Sequence, residues 1–160
     1  MRVRLVALDT GVIIEYIDRA GVYHALAGIV FSALAAGALK ALIPPPVLAE
    51  TLHVAARVYE ASGAPDALER AEKLVRWLSS HPGVTVPRST ELDIEAGKAK
   101  HRYKLALTDC YVLASSKLHG AAALFRKREA EIMRVEDELS REYKVLFLED
   151  YADKPGERRT

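Results

Sequence analysis

Short apolar runs separated by longer amphipathic stretches form the main pattern of hydrophobic and polar positions along the chain. The first run, 5–8, contains no polar residue, which is typical of a strand buried on both faces of a parallel sheet. Further along, Leu92, Ala96, Ala99 and Tyr103 recur at helical spacing. The whole pattern predicts strands at 5–8, 41–43, 84–86, 121–125 and 145–148, and helices at 12–17, 22–39, 47–60, 66–80, 89–103, 109–119 and 127–143.

The alternation of strands with helices predicts a three-layer α/β/α fold around a central, mostly parallel five-stranded sheet. A chain of 160 residues is long enough to bury one core well and is short for two. We therefore expect a single domain over residues 1–150, followed by a flexible tail over residues 151–160.

Composition and charge narrow the classes of protein that the chain can represent. A net charge of +1 excludes a globally basic nucleic-acid coat, so any contact with nucleic acid must come from local patches. The single cysteine, Cys110, excludes an internal disulfide framework and a multi-cysteine zinc site, which fits a reducing compartment. The first residues lack the separate basic and apolar regions of a signal peptide. The alanine-rich stretch 25–41 is too weakly apolar for a membrane span. We expect a cytoplasmic protein without a membrane segment.

Three acidic residues stand at positions where their side chains could meet. Asp9 follows the first strand, at the edge where open α/β sheets bind ligands, although a turn or helix-capping role is the favoured explanation when the residue is taken alone. Glu50 lies early in the helix after three prolines, and the alternative is a solvated glutamate favoured by the helix dipole. Asp109 opens an apolar helix, where it either caps the helix or, if partly buried, needs a partner or a metal.

Other sites with chemical potential are weaker. The five histidines show no paired metal-ligand spacing, and Cys110 has no evident partner for nucleophilic catalysis. The segment Asp9-Thr10-Gly11 does not match a glycine-rich phosphate loop.

The order and context of the three acids resemble the PIN-domain ribonuclease family, and the resemblance covers nearly the whole chain. It is carried by VALDT at 6–10, VLAE at 47–50, EAG at 95–97 and YKLALTDCYVLA at 103–114.

This resemblance implies a metal-dependent endoribonuclease in which Asp9 and Asp109 are the main ligands of Mg²⁺ or Mn²⁺. Glu50 would bind the ion directly or through water, and Thr10 and Thr108 would orient carboxylates or water. Hard divalent ions prefer oxygen ligands, and a bound water becomes a nucleophile for the phosphorus atom. The small single-domain form resembles the VapC-type toxins of toxin–antitoxin pairs, which implies an RNA substrate, a small antitoxin partner and a homodimer.

The chain departs from the family pattern after the fourth predicted strand. Phe125 and Lys127 stand where many members carry threonine and a fourth aspartate, and Glu129 is the candidate substitute acid. The triplet Arg126-Lys127-Arg128 could attract an RNA backbone, or could simply be a solvated helix start.

This departure favours an alternative function, namely a catalytically impaired PIN-fold module for RNA binding or protein interaction. A receiver-type phospho-acceptor domain fits less well, because Asp9 lacks the acidic neighbour that such a domain needs.

Overall fold

The computed structural model describes residues 4–152, which form five strands, seven α-helices and one short 3₁₀ helix. The strands are β1 (Arg4–Leu8), β2 (Leu39–Leu42), β3 (Val84–Thr85), β4 (Ala122–Phe125) and β5 (Val145–Phe147). The helices are α1 (Thr10–Ile17), α2 (His24–Ala35), α3 (Pro45–Ala61), α4 (Ala67–Ser80), α5 (Thr90–Tyr103), α6 (Leu107–His119) and α7 (Ala130–Glu142). The 3₁₀ helix is Leu148–Tyr151.

The five strands make one sheet in the order β3-β2-β1-β4-β5, and every neighbouring pair is parallel. The α/β fold with a five-stranded sheet is thus confirmed, and the sheet is all parallel rather than mostly so. The chain leaves β1 toward β2 on one side and leaves β4 toward β5 on the other. Ligands of open α/β sheets bind where the strand order reverses in this way, which here is between β1 and β4.

Strand β1 lies at the centre of the sheet and of the hydrophobic core. Its residue Ala7 is in register with Leu42 of β2 and with Ala123 of β4. Ala7 and Leu8 are fully buried, as are Val12 and other apolar residues of the helix that follows. An apolar run without alternation is what a strand covered on both faces requires.

The predicted end of α2 was wrong because a local turn closes the helix early. Helix α2 stops at Ala35 instead of continuing to residue 39. Gly37 adopts φ +74°, and the amide of Ala38 donates to the carbonyl of Ala33. This is how a glycine closes a helix, and it lets β2 begin at Leu39.

The segment after β4 also differs from expectation. Helix α7 begins at Ala130 rather than at 127, so that residues 126–129 form a loop at the carboxyl end of β4. Leu148 opens the 3₁₀ helix instead of ending β5. Of the tail expected at 151–160, Tyr151 lies in that 3₁₀ helix and residues from 153 onward fall outside the described range.

Over the described range, the model has no helix with the length and apolar character that crossing a membrane would require.

Replacing Leu113 by alanine should test the packing of α6. Leu113 is fully buried, so the Leu113→Ala protein should lose about 2–5 kcal/mol of unfolding free energy in urea denaturation. Leu118 of the same helix is 43% exposed, and Leu118→Ala should cost only about 0.5 kcal/mol. Equal losses for the two variants would contradict the placement of this helix.

Candidate active site

A cleft of about 330 Å³ opens at the carboxyl edge of the sheet, between β1 and β4. Its position matches the reversal of strand order described above. The polar and charged side chains that line it are Asp9, Thr10, Glu50, Asp109, Arg126, Lys127 and Glu129. All three acids singled out in the sequence, and the candidate substitute acid, are therefore brought together.

A larger cavity of about 630 Å³ lies beside α5, α6 and α7, but both of its acids are paired with basic side chains. Lys117 bridges Glu95 at 2.7 Å and Glu142 at 2.9 Å. Glu142 also accepts hydrogen bonds from Arg102 and Tyr103. Because the acids of this cavity are paired, the smaller cleft, in which Asp9, Glu50 and Asp109 form no ion pair with any residue from 4 to 152, is the better candidate for catalysis.

Asp9 is fixed at the junction of β1 and α1. Its backbone amide donates to the carbonyl of Leu124 at 3.0 Å, which ties the residue to β4. Its Oδ2 accepts the amide of Gly11 at 3.2 Å, so Asp9 is the N-cap of α1. The capping role considered for this residue is confirmed, and the same carboxylate also faces the cleft.

Glu50 and Thr108 connect α3 to α6 across the cleft. The Thr108 hydroxyl donates to Glu50 Oε2 at 2.7 Å. Glu50 is half-buried and lines the cleft, which differs from the freely solvated glutamate considered as its alternative. Holding a carboxylate by a hydrogen bond from a neighbouring helix fixes its orientation.

Burial and mutual repulsion raise the pKa values of two of these acids. Burial, followed by the negative charges of Asp9 and Glu50, raises the pKa of Asp109 from 3.8 to about 7. The pKa of Asp9 is raised to about 6, mainly by burial; the hydrogen bond from the amide of Gly11 opposes this shift, and the charge of Glu50 adds to it. Carboxylates that share a partly buried site disfavour one another's ionised form in this way.

Sequence reasoning missed Glu131 as a contributor to this cluster. It lies in the first turn of α7. The charges of Glu131 and Glu129 both raise the pKa of Asp109. Glu129 is exposed and forms an ion pair with Arg126 at 3.4 Å. Both acids follow β4, so their order in the sequence does place them at this edge.

Glu15 is a second residue that sequence reasoning missed. It is 5% exposed and accepts the amide of Tyr23 at 3.1 Å and the guanidinium of Arg126 at 3.3 Å. A Cβ on Gly21 would overlap its carboxylate, so this glycine is needed beside it. Only the glycine in the loop after α1 could have signalled a close contact there.

The three basic residues after β4 differ in their surroundings. Arg126 pairs with Glu15 and Glu129, as given above. Arg128 binds Glu136 at 2.8 Å and Asp150 at 2.7 Å. Lys127 lines the cleft and forms no hydrogen bond or ion pair with any residue from 4 to 152.

The donor atoms of the cleft suit a hard divalent cation. They are carboxylate oxygens together with the hydroxyl of Thr10, which is 3% exposed and has no hydrogen-bond partner. Over residues 4–152, no group of three or more His, Cys, Asp or Glu side chains is arranged to hold a metal ion. An ion of the Mg²⁺ type keeps several waters and needs only one or two carboxylates, so the chemistry fits even though no complete cage is formed within those residues.

Comparisons with known proteins agree with this architecture. A family model described as PIN domain matches residues 6–141. A toxin–antitoxin complex from Klebsiella pneumoniae is similar with a TM-score of 0.57, 15% identity and coverage of 89% of this chain and 97% of that one. VapBC-1 from nontypeable Haemophilus influenzae is similar with a TM-score of 0.57, 12% identity and coverage of 91% and 98%. At such identities the likeness shows the fold alone. A search of curated proteins gives no match.

The raised pKa of Asp109 predicts how stability depends on pH when divalent metal is absent. Below about pH 4 the residue is protonated in both states and has no effect. Between pH 4 and 7 the folded state holds the proton more tightly, so the unfolding free energy should fall as pH rises. At pH 8 in chelator, Asp109→Asn should therefore be more stable than the native chain, by about 1–2 kcal/mol after discounting for solvent screening.

Urea denaturation at pH 4.5 and pH 8 measures this difference. Asp137→Asn is the matched control, because Asp137 is exposed on α7 outside the cleft, where surface substitutions usually change stability by less than about 0.5 kcal/mol. A variant at Asp109 that is less stable than the native chain at pH 8, or equally shifted at both pH values, would contradict the electrostatic account.

Proposed function

This chain belongs to the PIN-domain family, and from that premise we propose that it is a metal-dependent endoribonuclease that hydrolyses RNA phosphodiester bonds. The observation that carries the proposal is the convergence of Asp9, Glu50 and Asp109 on one cleft. Burial and repulsion raise the pKa values of two of these acids, and a divalent cation would relieve that repulsion. Carboxylates that repel one another in this way favour the binding of a cation between them.

We assign Asp9 and Asp109 as the main ligands of Mg²⁺ or Mn²⁺, with Glu50 binding directly or through water. When bound, such an ion supplies a nucleophilic water and polarises the scissile phosphate. Glu129, near Asp109, is the proposed fourth acid, although its exposure makes it the most loosely placed.

The chain's own residues would hold this constellation in shape. The bond from Thr108 fixes Glu50, and the amide of Gly11 fixes one oxygen of Asp9. The buried hydroxyl of Thr10 has no partner within residues 4–152 and would orient a carboxylate or a water. The loop at residues 126–129 would present positive charge to the RNA backbone.

We further propose that the protein is the toxin of a toxin–antitoxin pair of the VapC type, acting on cytoplasmic RNA as a homodimer and silenced by a small antitoxin. Support comes from the two similar structures, which are a toxin–antitoxin complex and VapBC-1. Both align over most of this chain and nearly all of their own.

The alternative function is a catalytically impaired PIN-fold module for RNA binding or protein interaction. The observation that favours it is the lack, in the described part of the chain, of three acidic or histidine ligands arranged as a cage. The presence of Lys127 on the loop after β4, next to the acids, points the same way.

Cleavage of RNA by the purified chain tests the proposed function. The native protein should cleave a labelled single-stranded RNA with Mn²⁺ or Mg²⁺ and should be inactive in chelator. Asp109→Asn should reduce the rate by about 100-fold or more, since it removes a proposed ligand of the metal. Asp137→Asn carries the same charge change outside the cleft and should leave the rate within about twofold.

Cleavage that survives in chelator, or that is unchanged in Asp109→Asn, would exclude the metal-nuclease mechanism. If the native chain binds RNA but cleaves none of a broad panel, the impaired-module alternative becomes the better description.

A further inference from the structure

We propose that the three basic residues after β4 have different roles. Lys127 alone binds a substrate phosphate, while Arg126 and Arg128 hold the loop in position. The inference rests on the proposed function for the identity of the substrate, an RNA backbone. Lys127 is then the residue of the cleft that contacts this backbone.

Arg126 also lines the cleft, but its guanidinium is engaged by carboxylates of the protein itself. One of its guanidinium nitrogens contacts the buried carboxylate of Glu15 at 3.3 Å, and another contacts Glu129 at 3.4 Å. Its backbone carbonyl accepts the amide of Glu149 at 3.2 Å. A Cβ on Gly11 would lie 3.0 Å from the Cβ of Arg126, so the glycine lets the arginine approach α1 closely. Arg126 therefore acts as a positioning residue that fixes the start of the loop.

Arg128 is also engaged within the protein. It donates to Glu136 at 2.8 Å, to Glu149 at 3.0 Å and to both carboxylate oxygens of Asp150 at 2.7 and 2.9 Å. Its guanidinium also lies 4.1 Å from the ring centroid of Phe147. Three carboxylates around one guanidinium leave no net positive charge for RNA to recognise. Arg128 therefore anchors the far end of the loop to β5 and the 3₁₀ helix.

Lys127 lies between these two residues, and its ammonium group, unlike their guanidinium groups, has no ion-pair partner among residues 4–152. It is half-buried and lines the cleft, and no carboxylate in residues 4–152 lies within ion-pair distance of its ammonium group. The same cleft holds Asp9, Glu50 and Asp109, which would repel an RNA backbone. An unpaired cation beside these acids offers a point charge for a non-bridging phosphate oxygen, as lysine does in other phosphate sites.

The same position would also allow Lys127 to act only as a counter-charge for the acids of the cleft, and the two roles predict different results. If the ammonium served only as a counter-charge for the cleft acids, its removal would lower stability without altering RNA affinity. If it binds phosphate, its removal should weaken RNA binding and reduce the dependence of that binding on salt.

The experiment measures binding of a labelled single-stranded RNA by fluorescence anisotropy, over a salt series. The full chain carries Asp109→Asn throughout, so that the probe remains intact. Lys127→Met should raise the Kd by about 5-fold and reduce the slope of log K against log salt by about 0.7, the value for one phosphate contact on a single strand. Lys127→Arg keeps the charge and should restore most of the affinity.

Two further variants complete the comparison. Lys144 is exposed before β5, at the opposite edge of the sheet, so Lys144→Met should change neither affinity nor salt slope. Arg128→Met should lower the melting temperature and leave the salt slope unchanged, because its charge is already neutralised.

An unchanged salt slope in Lys127→Met, an equal loss in Lys144→Met, or no RNA binding by the Asp109→Asn chain at low salt would each overturn the inference. Its failure can be told apart from failure of the proposed function by assaying cleavage separately. Cleavage by the native chain together with unaltered binding in Lys127→Met defeats the inference alone. Reduced binding in Lys127→Met without cleavage by the native chain defeats the nuclease proposal alone.

Discussion

The electrostatic repulsion among acids held in one half-buried cleft is the constraint on which the rest of the site depends. Asp9 lies at the end of β1, Glu50 on α3 and Asp109 on α6, and folding brings their charges together in a partly buried cleft. Burial and neighbouring charges raise the pKa of Asp109 to about 7 as a result. Such an arrangement lowers the stability of the fold and is kept only because the surrounding contacts hold it. Locally unfavourable arrangements of this kind are concentrated at functional sites.

A few specific contacts in the surrounding structure hold these three acids in place. The parallel pairing of β1 with β4 places Asp9 beside the loop that carries Lys127. The hydrogen bond from Thr108 holds Glu50 against α6, and the ion pair between the buried Glu15 and Arg126 ties α1 to the loop. Acids and cations thus meet at the point where the strand order reverses, which is the usual ligand site of an open parallel sheet.

Much of this arrangement could be predicted from the sequence because local signals determine it. The unbroken run at 5–8 indicates a buried strand, and Asp9 and Asp109 stand at element boundaries that fix their edge of the sheet. The loop at residues 126–129 could not be predicted, since charge pattern alone resembles a helix start. Its conformation depends on Arg128 meeting Asp150, 22 positions away, and no periodicity reports such a contact. The burial of Glu15 depends in the same way on Arg126, 111 positions away.

Calorimetric titration of Mn²⁺ into the native chain near pH 7, in buffers of different ionisation enthalpy, tests the central claim most directly. If the cleft acids form a divalent-metal site, binding should be saturable and should release protons, because a ligand with its pKa near 7 must ionise to bind. Asp109→Asn should weaken the binding and abolish most of the proton release. Absence of saturable binding, or equal affinity and proton release in the two proteins, would contradict the account.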